Sequence, residues 1–324
     1  MQIKRGEKKP LELSEQYMLE IVKWGSLTMA AKHLGISQPA LSLALTNLEK
    51  KLGFTLIDRK SKPICFTEEG SIYAEYLHKQ KELTIQMQKE ISDAGMMKRK
   101  VLSVGGSAVY IESLVADAVP ELLGRYPECQ INMHIEPLGE LIQNAVNGEI
   151  ECFVCTDEKS IPDNFTLLPI RQERLYMCVP ESFEVNQRLK KYRVQLGEEK
   201  PIKDYHVFEA HGLIRLPATF PLQRKMDEFF AEKGMQIRSS ICVSQVSTGV
   251  ALAEKGLGMV VASEEALMGR NLDGRVCLYS LPEEISGRKI YIAYDSGHYI
   301  SKVCKMFIYL MTKGQGNNEK LKKD

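Results

Sequence analysis

The sequence has little of what marks a membrane, secreted or disordered protein. No run approaches the roughly 18 consecutive apolar residues that a membrane helix requires. The charged start, MQIKRGEKKPLEL, is not followed by an apolar segment, so we expect no secretory signal peptide. Eight cysteines in 324 residues are too few for a disulfide scaffold, and 44% hydrophobic residues are typical of a globular chain. The sequence therefore predicts a cytoplasmic protein of two or more domains with no membrane partner.

Motifs for catalysis and metal binding are also missing. The six histidines are scattered, and neither an HExxH motif nor a GxxxxGK[ST] phosphate loop occurs. Ser107 follows two glycines, but Val109 stands where a GxSxG nucleophile motif needs a glycine. Cys152 and Cys155 have CxxC spacing within an apolar strand, which favours buried structural thiols over a redox pair or zinc site. We therefore predict no catalytic residue, no metal site and no cofactor.

Positive charge is concentrated in the first 62 residues. They hold 11 Lys and Arg against 6 Asp and Glu, whereas the remainder holds 32 against 36, and the whole chain is only +1. A basic segment on a mildly acidic body indicates that a polyanion binds to the segment alone. An uneven surface with no such partner is the alternative.

Three helices are predicted within this basic segment. Apolar residues at helical spacing predict the first, which ends at Gly25. The second ends at Gly35, and Ser37 caps a third helix whose first turn contains Pro39. Two helices joined by a glycine turn form either a plain helical corner or a helix-turn-helix, whose second helix starts in the DNA major groove. In the second case Gln38 is placed to pair with adenine.

A hairpin and a long helix are predicted next. Residues 55–58 and 64–67 predict two short strands joined by a basic turn, and such a hairpin after three helices forms a winged helix. From residue 67 to about residue 94 the spacing predicts one long helix with a patchy apolar stripe. This helix either pairs with a second copy or packs against its own chain.

The body of the chain alternates predicted strands and helices. Segments 101–105, 130–136 and 150–156 are predicted strands separated by helices, an order that requires a parallel sheet with right-handed crossovers. A second alternating set, from residue 174 to residue 262, predicts a second lobe. Two such lobes joined by two chain crossings would form a ligand cleft at the carboxyl ends of their strands.

Specific motifs carry a family resemblance. GSLTMAAKHLGISQPALSLALTNLE at 25–49, LGFTLIDR at 52–59 and TEEG at 67–70 resemble the DNA-binding head of LysR-type transcriptional regulators. The body is similar to the effector domain of that family, which is built like a periplasmic solute-binding protein. Its best matching fragments are GGS at 105–107 and EKGLGMVV at 254–261.

The resemblance covers nearly the whole chain and implies an α + α/β architecture. It implies an N-terminal winged helix-turn-helix at 11–68, a long linker helix for dimerisation at 67–95, and a two-lobed α/β effector-binding domain, like a periplasmic-binding protein, at 98–312. We expect the first lobe at about 98–179 and 275–312, and the second at about 180–274.

The resemblance also implies two sets of site residues. The DNA-contacting set spans the second helix, the third helix and the wing: Thr28, Lys32, Ser37, Gln38, Pro39, Ala40, Ser42, Arg59, Lys60 and Lys62. The effector-binding set comes from loops of both lobes: Ser107, Ala108, Leu138, Gly139, Ala218, Thr219, Phe220, Ser247 and Thr248. Hydroxyls near three helix starts favour a small anion such as a carboxylate, unless those side chains only cap their helices.

One departure from the family pattern affects the expected DNA affinity. The family commonly carries Arg or Lys after the second serine of the SQPALS motif and further along that helix, where this chain has uncharged residues such as Leu43 and Asn47. Fewer phosphate contacts release fewer counterions, so we expect weak non-specific DNA binding with a shallow salt dependence.

The sequence therefore predicts a LysR-type regulator, not an enzyme, that binds DNA under the control of a small anionic effector held between the lobes. Its expected partners are operator or promoter double-stranded DNA, the effector, further copies of itself in a dimer or tetramer, and RNA polymerase. One alternative is a two-lobed solute-binding protein or enzyme with an incidental basic head. Another is a constitutive DNA-binding protein whose body only oligomerises.

Overall fold

In the computed structural model, the described residues are 13–58, 64–95 and 100–313, and the chain divides into two compact units, residues 1–89 and 90–324. The first unit contains three short helices, a two-stranded hairpin and most of a long helix. Its elements are α1 Leu13–Trp24, α2 Leu27–Leu34, α3 Gln38–Leu52, β1 Ile57–Asp58, β2 Cys65–Phe66 and α4 Glu68–Asp93. No helix in the described part of the chain is long and apolar enough to cross a bilayer.

The first three helices pack their apolar faces together and confirm the predicted order. Met18 and Ile21 of α1 are fully buried against Ala31 of α2 and Leu41 of α3. The small alanine side chain lets the helices approach closely. Gly35 ends α2 with a positive φ of 67°, a conformation that favours glycine, and its amide bonds back to the last turn of the helix.

The second unit contains two five-stranded sheets covered by helices. Its elements are β3 Val101–Gly106, α5 Ala108–Tyr110, a π turn Ile111–Val115, α6 Ala116–Arg125, β4 Gln130–Ile135, α7 Leu138–Val146, β5 Cys152–Cys155, β6 Phe165–Glu173, β7 Leu175–Pro180, α8 Val185–Arg188, β8 Leu213–Arg215, α9 Pro221–Glu232, β9 Ile241–Cys242, α10 Val246–Ala253, β10 Met259–Ser263, α11 Glu264–Leu267, β11 Val276–Ser280, α12 Glu283–Ser286, β12 Arg288–Asp295 and α13 Lys302–Thr312.

Each sheet defines one lobe. The first has the order β4-β3-β5-β12-β6 and the second β11-β7-β10-β8-β9. β3 runs parallel to β4 and β5, and β8 runs parallel to β9 and β10, as predicted. The other pairings are antiparallel: β12 with β5 and β6, and β7 with β10 and β11. The sheets are therefore mixed, and only their alternating βα segments are parallel.

The predicted lobe bounds were wrong at both chain crossings. The bounds implied by the resemblance place β7 and β11 in the first lobe, although the alternating pattern already grouped residue 174 with the second lobe. The two strands pair with each other and belong to the second sheet. The first lobe therefore runs to Glu173 and resumes at Arg288. The reason is that β7 and β11 are apolar throughout and fully buried, so either sheet could accept them on pattern alone.

Strand β6, which carries the chain out of the first lobe, was not predicted. Pro169 and several charged residues interrupt its apolar pattern. A proline is tolerated here because β6 is an edge strand, and the register shifts where Pro169 faces Tyr291 of β12. Such an edge position cannot be inferred from the strand's own sequence.

The last residue of α4, Asp93, belongs to the second unit and bonds to residues near the start of α13. Asp93 accepts hydrogen bonds from the Tyr299 hydroxyl at 2.9 Å and from the backbone amide of Lys302 at 2.7 Å. The second bond satisfies an amide at the start of α13. Burial and the Asp93 carboxylate raise the pKa of Tyr299 to about 12, so this hydroxyl remains a donor at neutral pH.

Candidate functional site

The start of α3 presents a short polar surface. The Ser37 hydroxyl accepts a hydrogen bond from the Ala40 amide at 3.3 Å, which confirms the predicted cap. Gln38, Pro39 and Ala40 are exposed, whereas Ser42 is half-buried. The cap fixes the first turn, and the exposed residues of that turn can therefore approach base edges in a groove.

Other predicted DNA contacts are distributed around this turn. Thr28 and Lys32 of α2 are exposed. Leu43 is 63% exposed, and this apolar side chain on α3 was noted in the sequence only for lacking charge. The wing residues Arg59, Lys60 and Lys62 lie outside the described residues.

The hairpin is attached to the helices by a buried carboxylate and a close glycine contact. Glu49 of α3 accepts hydrogen bonds from the amide of Leu56 at 2.8 Å and from that of Ile57 at 3.4 Å. Thr67 donates to the Thr55 carbonyl at 2.6 Å and accepts from the Gly70 amide at 2.9 Å. These contacts give the LE and T-x-x-G motifs a structural role that the sequence did not reveal.

The predicted effector residues lie at helix starts in both lobes. Ser107 precedes α5, residues 138–139 open α7, residues 218–220 precede α9, and residues 247–248 lie in the first turn of α10. Most are exposed, and Phe220 is 37% exposed. The constitutive alternative requires Phe220 and Leu138 to fill the cleft, and the partial exposure of Phe220 does not support it.

Helix capping does not account for the three hydroxyls. Ser107 has the cap position of α5, but its side chain makes no capping hydrogen bond among the described residues. The residue before α9 is Phe220 rather than Thr219, and the cap of α10 is Gln245 rather than Ser247. The capping interpretation of these side chains was therefore wrong.

Only part of the predicted set meets in one cavity. Ala108 of the first lobe and Ser247 of the second line a cavity of about 290 Å³ between α5–α6 and α10–α11. Leu138, Gly139 and residues 218–220 do not line this cavity. The effector set remains a prediction for the wider space between the lobes.

Comparisons with known proteins identify the family. A family model described as the LysR substrate binding domain matches residues 97–315, and one for the bacterial regulatory helix-turn-helix protein, lysR family, matches residues 15–71. The chain belongs to the LysR family. It is a LysR-type transcriptional regulator with a helix-turn-helix and an effector-binding domain, and these matches confirm the predicted family, fold class and regulatory function.

Relatives and solved structures agree with this assignment. An uncharacterised HTH-type transcriptional regulator of Bacillus subtilis, YcgK, is 24% identical over 308 residues, covering 91% of this chain and 92% of its own. A probable RuBisCO transcriptional regulator of Cyanophora paradoxa is 23% identical, covering 93% and 91%. The fold is similar to full-length CbnR complexed with its target DNA, with a TM-score of 0.55 and 18% identity over 93% of this chain and 98% of that one. These relatives are named as regulators, so the enzyme and solute-binding alternatives lose their support.

A buried ionic cluster at the chain crossings of this LysR-type regulator was not predicted. Glu173, at the end of β6, accepts a hydrogen bond from the Tyr110 hydroxyl at 2.7 Å and pairs with Arg288, its register partner at the start of β12. Arg171 donates from Nε to Glu265 Oε1 at 3.0 Å, which joins β6 to α11 of the other lobe. The residues come from four elements distant in sequence, so no local pattern could have revealed them.

The hydrogen bonding of this cluster is incomplete, although its two carboxylates are paired with two guanidinium groups. Among the described residues, Glu265 Oε2 and Arg288 Nε are buried side-chain atoms without a hydrogen-bond partner. Burial, followed by the charge of Glu173, raises the pKa of Glu265 above its usual 4.5. Burial, followed by the charge of Glu173, also raises the pKa of Tyr110 well above 10.0. The tyrosine therefore remains a donor, and an additional positive charge near Glu265 would stabilise its ionised form.

The two cysteines with CxxC spacing are buried structural thiols. Cys152 packs in the core beside α13, whereas Cys155 packs in a separate cluster with Phe153, so the two side chains lie on opposite faces of β5. Burial raises the pKa of Cys155 to about 12, and its thiol is therefore protonated at neutral pH. No cluster of three or more metal-binding side chains occurs in the described ranges.

Proposed function

We propose that this LysR-type regulator binds operator DNA through the start of α3 and changes its DNA binding when a small molecule occupies the space between its two lobes. The observation that carries the proposal is the cavity lined by both lobes in a chain that also has an exposed, capped helix-turn-helix surface. A molecule that contacts both lobes binds better to one lobe arrangement than to another. It can therefore shift the equilibrium between those arrangements.

On the DNA side, exposed Gln38 is the residue proposed to recognise a base, since a glutamine pairs bidentately with adenine in the major groove. The remaining proposed contacts position the helix on the backbone or in the groove. They are Thr28, Lys32, Ser37, Pro39, Ala40 and Ser42, with Arg59, Lys60 and Lys62 at the wing.

On the effector side, the proposed contacts include the hydroxyls of Ser107, Thr219 and Ser247, none of which caps a helix. A hydroxyl that does not cap its helix remains available to donate to or accept from a ligand. The other proposed contacts are Ala108, Leu138, Gly139, Ala218, Phe220 and Thr248.

The proposed partners extend beyond DNA and effector. Ile72, Tyr76 and Leu83 of α4 are 63%, 63% and 66% exposed, which supports pairing of this helix with a second copy. A dimer, or a tetramer built from two dimers, would present two DNA-binding heads to two half-sites. Contact with RNA polymerase and action in the cytoplasm, where the DNA target lies, complete the proposal.

A gel-shift titration against the DNA immediately upstream of the gene tests the proposal. Gln38→Ala is expected to weaken the specific complex by about tenfold to a hundredfold, because one bidentate base contact is worth about 1–3 kcal/mol. The matched variant Gln143→Ala, exposed on α7, should bind as the wild type does. A folded protein that forms no complex at low salt, or an unchanged affinity of Gln38→Ala, would contradict the proposal.

A further inference from the structure

The cavity between the lobes has an excess of negative charge. Its wall comes from one face of α5–α6 and from the α10–α11 region: Ala108, Val109, Glu112, Ser113, Asp117, Gln245, Ser247, Glu265, Ala266, Met268, Gly269 and Arg270. Three carboxylates thus face one guanidinium. At about 290 Å³, the cavity has room for a small organic molecule but not for a peptide.

The guanidinium does not balance the carboxylates, because it is already engaged elsewhere. Arg270 Nε donates to the Ala266 carbonyl at 3.2 Å, and Nη2 donates to the Ser247 carbonyl at 3.4 Å. Its remaining nitrogen lies 3.7 Å from Glu254, which is outside the cavity wall. The positive charge of Arg270 is therefore partly offset by Glu254, which also lies 3.7 Å from Arg275, rather than by the cavity carboxylates alone.

Glu265 is the strongest sign that the cavity requires a ligand. Its side chain is only 1% exposed, and its Oε1 is occupied by Arg171. Its Oε2 has no hydrogen-bond partner in the described part of the chain and is shielded from solvent. A buried carboxylate oxygen without a donor is unfavourable. Arg171 offsets part of the charge of Glu265, and because water does not screen the rest, that remainder acts on the cavity that the residue lines.

The helix opposite Glu265 has an unusual local structure. Residues Ile111–Val115 form a π turn between α5 and α6, and this turn carries Glu112 and Ser113 to the cavity wall. π turns are rare within helices and often occur at functional sites. Glu112 and Asp117 are exposed, so both carboxylates are available to a ligand.

We infer that this cavity binds a small organic cation, an ammonium or guanidinium compound, between Glu112 and Asp117 of the first lobe and Glu265 of the second. The inference rests on the proposed effector function and reverses the charge that the helix-start hydroxyls indicated. The cation hydrogen-bonds to exposed Glu112 and Asp117 and its charge compensates the remaining charge of Glu265, while Ser113 and Ser247 provide neutral hydrogen-bonding groups beside it. Since the carboxylates belong to different lobes, the cation stabilises the arrangement in which the lobes are close.

Isothermal titration of the full-length protein with three compounds of one chain length tests the inference. The probes are 1,4-diaminobutane, the dicarboxylate succinate and the neutral 1,4-butanediol. We expect the diamine to bind about tenfold or more tighter than the diol, because its charge meets unscreened carboxylates, and succinate not to bind. Tighter binding of succinate than of the diamine, or absence of diamine binding at millimolar concentration, would overturn the inference.

Substitutions of single carboxylates show where on the protein the diamine binds. Glu112→Gln and Glu265→Gln should each weaken diamine binding by about tenfold, whereas Glu128→Gln, which removes an exposed carboxylate outside the cavity, should not. Diamine binding that is unaffected by both cavity variants would place the cation elsewhere and refute the site. Circular dichroism of Glu265→Gln checks that the fold is retained, and Glu112→Gln, at an exposed position, remains informative if Glu265→Gln fails to fold.

The DNA gel shift separates this inference from the proposed function. Diamine binding with no DNA complex would leave the cation site standing and refute the DNA-binding proposal. A DNA complex that responds to succinate but not to the diamine would support the regulator and refute a cationic ligand.

Binding of the diamine should also strengthen as the pH rises, because burial and Glu173 raise the pKa of Glu265 and protonation removes its charge. The groups facing Glu265 in this titration are Arg171, Glu173, Arg288 and Tyr110.

Discussion

Replacing Gly70 by alanine should destabilise the DNA-binding unit by a large fraction of its stability. A Cβ at this position would lie 2.0 Å from the Leu56 carbonyl oxygen and 2.8 Å from its carbon. A close carbon–oxygen contact is about 3.3 Å, so the backbone of one element must move by about 1 Å. The obstacle is backbone, and no side-chain rotation can relieve it.

The expected cost follows from what that movement disrupts. Overpacking of this kind costs about 1–3 kcal/mol. The Thr67 amide donates to the Leu56 carbonyl at 3.1 Å, and the Gly70 amide donates to Thr67, and each lost bond adds about 1 kcal/mol. We therefore expect a loss of about 3–5 kcal/mol in the free energy of unfolding, and a melting temperature lower by about 10 °C or more.

The single tryptophan makes this prediction easy to measure. Trp24 lies in α1 and stacks on His33 with ring centroids 3.7 Å apart, so its fluorescence reports unfolding of the first unit alone. Gly124→Ala is the control, because nothing lies within 4 Å of the added Cβ and the glycine is helical, in the second unit. A Gly70→Ala midpoint in urea within about 0.5 kcal/mol of the wild type would refute the reasoning.

Four further predictions concern reactivity, pH, the lobe contact and salt. In the native chain, Ellman's reagent should react fast with exposed Cys65 and Cys242, and slowly with the buried thiols, which burial shields. Burial raises the pKa of the Glu265 carboxyl in the folded state, so the wild type loses stability as the pH rises from 4.5 to neutrality. Glu265→Gln lacks this group and should therefore gain stability relative to the wild type over the same range, which urea titrations of both proteins would measure. Arg224→Ala removes an interlobe ion pair at 3.0 Å that is half exposed, so the unfolding free energy should change by less than about 1 kcal/mol while hydrogen exchange around the cavity accelerates. The slope of log K against log salt for random duplex DNA should be shallower than about −8; a steeper slope would show more phosphate contacts than the sequence indicates.

The DNA-binding unit was the most predictable part of the chain, because its signals are local. Ser37 caps α3, Gly35 ends α2, and both are recognised from a few neighbouring residues. The role of Glu49 was not predictable in this way. A glutamate in a helix is usually solvated, and only the return of residues 56–57 onto α3 buries it against two backbone amides.

The effector-binding unit was predictable as a set of elements but not as a site. Strand order within each βα segment follows from alternation and crossover handedness, so the parallel parts of both sheets were predicted. The placement of β7 and β11 depends on which of the two sheets they pair with, and that is not encoded in their own sequences. The cavity brings together carboxylates that are more than 140 positions apart in the sequence, such as those of Glu112 and Glu265. No periodicity or spacing in one segment contains that information.

Two ion pairs near the boundary of the lobes differ in burial, and only one of them joins the two lobes. Glu173 and Arg288 are 1% and 10% exposed and lie where the chain crosses between lobes, and removing either partner of such a buried pair costs several kcal/mol. The ion pair between Arg224 and Asp157, whose side chains are 51% and 18% exposed, contributes little to stability. The buried pair lies within the first lobe and holds its two crossing strands together, so we expect it to stay intact when the lobes move. The exposed pair joins the lobes, and we expect it to break at little cost as they separate. Because that contact is weak, even a modest preference of a ligand for one lobe arrangement would shift the equilibrium between them.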